Sequence, residues 1–262
     1  MRRSVALSIA GSDSGGGAGI QADLKTFHAF GVFGTTAITA ITVQNTLGVA
    51  GVHPVPLETV REQIRVVAGD LRPAAVKTGM LGSPDLVRLV ASAIEEESLG
   101  AYVLDPVMVA SSGDRLLDRD AEQTVLRHLV PLADLVTPNL DEATILAGFP
   151  VRTHAEMRRA AESLVSAGAG AALLKGGHLE GEEVVDILFD GTDWHEWRRP
   201  RIPTRHTHGT GCTLSAAVAA GLARGDALIP AVDAALDFVS RAIAAAPGLG
   251  AGHGPLDHMI EA

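Results

Sequence analysis

One short stretch, RHTHGTGCTLS at residues 205–215, gathers residue types that handle anions. Gly209 and Gly211 let the main chain curl tightly, because glycine alone enters positive φ without a steric penalty. An apolar, alanine-rich run at 214–222 follows at once, so the turn is expected to open into a buried helix. A helix start presents unpaired N–H groups and the positive end of the helix dipole. Gly209, Thr210, Gly211 and Cys212 are therefore expected to cradle an anion, most simply phosphate. The plainer alternative is a glycine connection that caps a helix and binds nothing. The glycines, the cysteine and the hydroxyls of Thr210, Thr213 and Ser215 within one turn favour the cradle.

A second set of polar residues follows a series of short apolar runs. Lys77, Asp105, Asn139 and Lys175 each stand just after one, and Glu142 follows Asn139 by three positions. Acid, amide and base gathered beside an anion cradle suit a nucleotide and its metal. Asp105 and Glu142 are candidates for Mg²⁺, directly or through water, since magnesium keeps several waters and takes few carboxylates. Lys175 is the candidate to neutralise phosphate charge. A rim of unrelated loop residues is the other reading.

Near the start, an apolar run at 5–9 leads into GSDSGGGAG and then an amphipathic segment at 20–30. This reads as strand, glycine loop and helix. It is not a Walker A loop: Gly11 and Gly16 have the right separation, but Gly17 stands where lysine is required. The dinucleotide-binding G-x-G-x-x-G spacing also fails, because Ile20 follows Gly15 and Gly17 at the wrong place. The glycines are read as letting a ligand lie against backbone, with Asp23 and Lys25 early in the helix. Gln44, at a strand end, carries both donor and acceptor to read a ligand's edge, or is an ordinary turn residue.

These residues need a frame that brings strand ends together. Threonine and isoleucine favour a strand at 35–43, and 49–55 reads as its hairpin partner, a flap at about 35–55 lying outside the main sheet. From residue 57 onward helix and strand alternate: helices at 57–70, 84–96, 122–130, 142–147 and 155–167, strands at 75–77, 102–104, 135–136 and 171–174. That alternation means parallel strands with crossover helices, and ligands at their carboxyl ends. Asp190-Gly191 between two strand-like runs signals a hairpin, an antiparallel edge on the parallel sheet. Helices from 211 and at 230–246 complete the pattern, and the glycine-rich GLGAGHGPLDHM reads as a surface strap. The expected architecture is a layered α/β sheet in one domain spanning 1–262.

Composition narrows the function classes. The chain has 262 residues, 47% hydrophobic and 20% charged, with a net charge of −10. The acidic balance argues against a nucleic-acid surface, and 3% aromatic residues leave no stacking platform for bases. No uncharged apolar run reaches the length of a membrane span, and the apolar run at 5–10 after MRRS is too short for a signal peptide. A cytoplasmic location is expected. Cys212 is the single cysteine, which excludes an internal disulfide and fits a reducing compartment.

Seven motifs occur in order along nearly the whole chain: AGSDSGGGAGIQADLKTF, TAITVQNTLGV, KTGMLG, DPVMVASSGD, TPNLDEA, LLKGGH and THGTGCTLSAA. Together they resemble the ribokinase superfamily, in its branch of hydroxymethylpyrimidine/phosphomethylpyrimidine kinases of thiamine synthesis and the related pyridoxal kinases. The resemblance implies a ribokinase-like three-layer α/β/α sandwich with a mostly parallel sheet, an antiparallel edge and a small β flap. It implies ATP and Mg²⁺, and commonly a homodimer. By the same resemblance HGTGC looks like the anion hole, and Asn139 and Glu142 lie near phosphate and magnesium. Asp105 resembles the acid that organises the metal. Gln44 stands where the family hydrogen-bonds a pyrimidine, with Gly11, Ala18, Asp23, Met80 and Val107 around it. Cys212 occupies the place of the aspartate base of sugar kinases.

The implied reaction moves the γ-phosphoryl of ATP to a hydroxymethyl group on a pyrimidine, and then to the resulting monophosphate. Cys212, at a helix start, is expected to have a lowered pKa and to accept the hydroxyl proton. The opposing reading, that it only shapes the pocket, stays open. The hairpin and Ser111, Ser112 and Gly113 are expected to close over ligands. Pyridoxal kinase is the rival activity, and a non-catalytic nucleotide- or pyrimidine-binding regulator the rival class. A histidine metal site built from His206, His208, His253 and His258 lacks ligand spacing.

Overall fold

The computed structural model describes residues 3–108 and 119–262. The chain begins with β1 (Val5–Asp13), α1 (Gly19–Ala29), β2 (Phe33–Asn45), β3 (Gly48–Pro54) and α2 (Leu57–Leu71). It continues with β4 (Ala75–Thr78), α3 (Pro84–Glu96), β5 (Ala101–Leu104), α4 (Arg119–His128), β6 (Leu135–Val136) and α5 (Leu140–Ala147). Then come α6 (His154–Ser166), β7 (Ala172–Leu174), β8 (Glu183–Phe189), β9 (Trp194–Pro200), α7 (Thr210–Arg224) and α8 (Leu228–Ala244).

The nine strands form one sheet in the order β3-β2-β1-β4-β5-β6-β7-β8-β9. Pairing is parallel from β2 through β7. It is antiparallel at β2–β3 and along β7–β8–β9. Side chains alternate across the pleat, and the central strands bury both faces, which is why they read as continuous apolar runs. Leu7, Ile9, Val76 and Leu104 pack with Ile64, Val87, Val125, Leu146 and Met157 under α2 to α6. Ala6, Ala75, Val103 and Leu135 pack with Phe27, Leu214, Val218, Val232 and Phe238 under α1, α7 and α8. This is the expected three-layer sandwich.

From β1 the chain crosses by α1 to β2 on one side, and later by α2 to β4 on the other. The strand order therefore reverses between β1 and β4, opening a crevice at their carboxyl ends. Helix α7 lies across β1, β4 and β5 on one face of the sheet. It comes so close because its inward positions are small, including Ala216, Ala217, Ala219 and Ala220, all fully buried.

One expectation needs correcting. The hairpin at 35–55 does not stand outside the main sheet. Its first strand is long enough to pair in parallel with β1 as far as Asp13↔Thr42, and to carry β3 on its other side. Only the tip, with Val43 opposite Gly51 and Asn45 opposite Gly48, runs on beyond β1. The C-terminal strap is tied down. His253 N–H donates to Thr46 O at 2.9 Å, His208 N–H to Gly254 O at 3.2 Å and Asp257 N–H to Ala242 O at 3.1 Å. Ser111, Ser112 and Gly113 lie outside the described residues. Among the described residues no helix is long and apolar enough to cross a membrane.

Candidate active site

A cavity of about 680 Å³ opens at the crevice between β1 and β4 and runs across the start of α7. Gly11, Ala18, Gln44, Met80 and Val107 line one end. Gly209, Thr210, Gly211 and Cys212 line the middle, and Asp105, Asn139, Glu142 and Lys175 follow. Beyond them Leu236, Val239 and Ile243 of α8 form an apolar wall.

The turn before α7 has the expected form. Gly209 caps the helix in the left-handed region, with φ 84°, where a side chain would be strained. The amides of Gly209, Gly211 and Cys212 find no backbone acceptor among the described residues. Thr210 departs from expectation: its amide donates to Thr207 O at 3.2 Å and its hydroxyl to the same oxygen at 2.7 Å. Both donors serve the turn, so Thr210 holds the cradle rather than lending it a ligand.

The charged residues press against that turn. A Cβ on Gly211 would sit 3.1 Å from Lys175 Nζ and 3.7 Å from Asp105 Oδ2. Lys175 Nζ donates to Asp105 Oδ1 at 3.2 Å and lies 3.9 Å from Glu142 Oε2. Asp105 also accepts the Ser215 hydroxyl at 3.3 Å. Asn139 and Glu142 form a capping box for α5: Asn139 Oδ1 accepts from the Asp141 and Glu142 amides, and Glu142 accepts from the Asn139 amide at 2.8 Å. What Asn139 can offer a ligand is its Nδ2 group. Burial pushes the Glu142 carboxyl up to about 7, against the pull of Lys175 and with the help of nearby Asp105. Burial works against the Lys175 charge, yet Asp105 and Glu142 hold its pKa above the usual lysine range.

Cys212 overturns the expected thiolate. Burial pushes the thiol up to about 11; Lys77 opposes this, and Asp105 and Asp23 add to it. Loss of water and two neighbouring acids outweigh the helix start, so the side chain stays neutral at physiological pH.

Asp23 is a further correction. It is fully buried beneath the pocket and does not line it. Both its oxygens accept from Lys77 Nζ at 3.0 Å, and one also from the Ser8 hydroxyl. Lys77, expected on the rim, is likewise fully buried. Gly11, Ala18, Gln44, Met80, Val107, Asp105, Asn139, Glu142, Lys175 and the turn from Gly209 to Cys212 are brought together on one cavity, while Lys25, Thr213 and Ser215 do not line it.

Some wall residues were missed in the sequence. Asp13 and His208 line the acceptor end and are bonded to each other at 2.9 Å. An aspartate ahead of a glycine run is an Asx-turn signal that marks Asp13; His208 reads only as a loop histidine. Asp186 accepts the Gly176 amide at 2.8 Å and pairs with Arg199, fixing the turn after Lys175. Arg201 donates to the carbonyls of Gly177, Leu179 and Gly181 around the same turn. The apolar wall on α8 has no signal beyond ordinary helix periodicity.

Among the described residues no three His, Cys, Asp or Glu side chains converge as a metal site. Two buried carboxylates beside a phosphate-sized cradle still suit magnesium, which takes one or two carboxylates and completes its shell with water and phosphate oxygens.

Comparison with known proteins covers nearly the whole chain. The family model described as "Phosphomethylpyrimidine kinase" matches residues 13–257. The Bacillus subtilis hydroxymethylpyrimidine/phosphomethylpyrimidine kinase is 49% identical over 255 residues, 97% of this chain and 94% of that one. The thiamine biosynthesis bifunctional protein of Geobacter sulfurreducens is 47% identical over 260 residues, 99% of this chain and 53% of that protein. The crystal structure of an ADP complex of Bacillus subtilis pyridoxal kinase superposes with a TM-score of 0.92 at 40% identity, covering 98% of both chains.

Proposed function

The chain belongs to the phosphomethylpyrimidine kinase family, and from that premise we infer what its cavity does. It is a hydroxymethylpyrimidine/phosphomethylpyrimidine kinase of thiamine biosynthesis: it phosphorylates 4-amino-5-hydroxymethyl-2-methylpyrimidine with ATP and then phosphorylates the monophosphate. One observation carries the reading: the helix-start turn touches the acceptor loop at Gly17 on one side and the carboxylate–lysine cluster of Asp105 and Lys175 on the other.

In the proposed reaction the pyrimidine lies among Gly11, Ala18, Gln44, Met80 and Val107, with its hydroxymethyl group toward Cys212. ATP lies along Asn139, Lys175 and the α8 wall, its γ-phosphoryl at the turn. The hydroxymethyl oxygen bonds to γ-phosphorus as the bridge to the β-phosphate breaks and ADP leaves; the hydroxyl proton passes to an oxygen of the transferred phosphoryl group and from there to water. Charge on the phosphoryl oxygens is met by the amides of Gly209, Gly211 and Cys212, and one such donor is worth about 3 kcal/mol. Phosphoryl transfer of this kind relies on positioning more than on a base. A neutral thiol at Cys212 suits that, filling space beside the reacting oxygen without repelling phosphate. Asp105 and Glu142 are the residues that would hold Mg²⁺, which when bound neutralises phosphate charge.

A cytoplasmic homodimer is part of the reading. Ile41, Val43 and Leu47 expose apolar side chains on the β2–β3 hairpin. The outer edge of β3 has no strand partner among the described residues. Side-by-side assay of the pyrimidine alcohol, its monophosphate and pyridoxal with ATP tests the assignment. ADP formation is expected with the two pyrimidines. Turnover of pyridoxal at equal or better kcat/KM would overturn the substrate.

A further inference from the structure

Two glycine-rich loops, 195 positions apart in the chain, meet through one pair of side chains. Asp13, 3% exposed at the end of β1, takes four donors on one carboxylate. They are the Gly15 amide at 2.8 Å, the Gly17 amide at 3.0 Å, the Ala18 amide at 2.8 Å and His208 Nε2 at 2.9 Å. The amides belong to the loop that carries Ala18 onto the acceptor wall. The imidazole belongs to the residue directly before Gly209.

No slack separates the loops. A Cβ on Gly17 would come 2.5 Å from His208 Cδ2, and one on Gly209 would come 1.8 Å from Gly17 O. His208 is itself 8% exposed. Its ring therefore sets the spacing between the acceptor loop and the turn that receives the phosphoryl group.

The same contacts fix a neighbour. Burial works against ionisation of Asp13, but His208 and the Ala18 and Gly15 amides outweigh it and hold the carboxyl below its usual range. Asp13 is thus an acceptor only, and His208 Nε2 carries the hydrogen it shares; this tautomer is assigned from the bonding pattern. Gln44 Nε2 lies 3.4 Å from that nitrogen, which then has no lone pair to offer it. Gln44 Oε1 meanwhile lies 3.1 Å from the Thr42 hydroxyl, whose hydrogen it shares with Ser12 O at 2.9 Å. The amide N–H groups are left for a ligand acceptor such as a ring nitrogen.

We propose that Asp13 and His208 are a positioning pair for the transfer, holding the acceptor loop in register with Gly209 and turning the Gln44 NH₂ group toward the acceptor's ring. The proposal rests on the pyrimidine kinase reading above. His208 acts through Gly209 and Gln44, because its own Nε2 is spent on Asp13.

The test uses His208→Ala, His208→Gln, Asp13→Asn and the double variant D13N/H208A, with acceptor and nucleotide measured separately. His208→Ala should raise KM for the pyrimidine alcohol about tenfold or more and lower kcat by a similar factor, leaving KM for ATP within about twofold. Calorimetric affinity for the pyrimidine alcohol without ATP should fall in parallel. His208→Gln, whose longer amide can still donate to Asp13, should recover most of the loss, and added imidazole should rescue His208→Ala in part. The double variant should be no worse than either single one, since the two residues act as a unit. Unchanged acceptor binding and kcat in His208→Ala overturns the pairing, as does an equal rise in both KM values. Should His208→Ala melt below the assay temperature, His208→Gln decides: near-native kinetics support the pair, and loss of acceptor binding in a folded protein overturns it. A wild-type chain that neither binds nor phosphorylates the pyrimidine would instead sink the substrate reading.

Discussion

The two ends of the cavity are held in opposite ways. The acceptor end is organised by hydrogen bonds to a single carboxylate, Asp13, and its other lining groups include the His208 imidazole, amides, the Ser12 and Thr42 hydroxyls, a thioether and a neutral thiol. The nucleotide end is organised by charges that compensate one another, with Lys175 reaching both Asp105 and Glu142 within 3.9 Å. A hydrogen-bonded frame held on one carboxylate is stiff before its ligand arrives, which favours recognition of one ring shape. A balanced charge cluster has a set point that shifts when phosphates and a cation join it. Rigidity therefore belongs to one end and electrostatic responsiveness to the other, and the turn at Gly209 is where they join.

The strongest way to break this division is at the junction. Gly209→Ala places a side chain at φ 84° and within 1.8 Å of Gly17 O, so the turn must move. Loss of kcat by about 10³-fold or more is expected, with both substrates affected. A kcat within tenfold of wild type would show that the turn does not receive the transferred group.

The next test separates the ends. Asp105→Asn should lower kcat by about 10²-fold while leaving pyrimidine affinity unchanged. Gln44→Ala should raise KM for the pyrimidine by about 10-fold or more with KM for ATP unmoved. If either variant moves both KM values together, the cavity works as one site and the comparison fails.

Electrostatic responsiveness makes a prediction about pH. The unfolded chain ionises Glu142 near 4.5 and the folded chain near 7. Between these values the folded state holds the extra proton, so this residue's contribution to stability falls as pH rises, and it is constant above 7. The stability of Glu142→Gln relative to wild type should therefore grow by up to about 3 kcal/mol from pH 4.5 to 7, in denaturant melts with chelator. A difference that stays flat over that range would mean that Glu142 is ionised throughout.

The smallest effect is expected at Cys212. With its thiol at about 11 it is not a thiolate at neutral pH. Cys212→Ser should keep kcat within about tenfold, and the rate of alkylation by iodoacetamide should climb with pH through the neutral range to a midpoint near 11. An alkylation midpoint near 7 would restore the role of base.

Much of this was legible in the sequence because it depends on local pattern. Continuous apolar runs ending in Asp105 or Lys175, and glycines opening onto an alanine-rich helix, encode where strands end and where α7 starts. What was not legible depends on distant partners. Asp23 reads as an acid early in a helix and beside the acceptor, and only the fold brings Lys77 and Ser8 around it and buries it beneath the pocket. Cys212 reads as an activated thiol, and only burial beside Asp105 and Asp23 reverses that. The hairpin at 33–54 joins the sheet because β1 runs on to Asp13, a length that its glycine at position 11 disguises.

The strap at the end of the chain gives local opening a definite unit. Thr46 at the hairpin tip is pinned by the amides of Gly252 and His253, and the same segment holds Arg205 O and His208 N–H. Were the tip to lift, the strap would have to release it, loosening the segment that leads to Gly209. Such a tip does not flutter as an independent hinge. It frays together with the strap as one cooperative patch, so solvent protection of three segments far apart in the chain rises and falls in step.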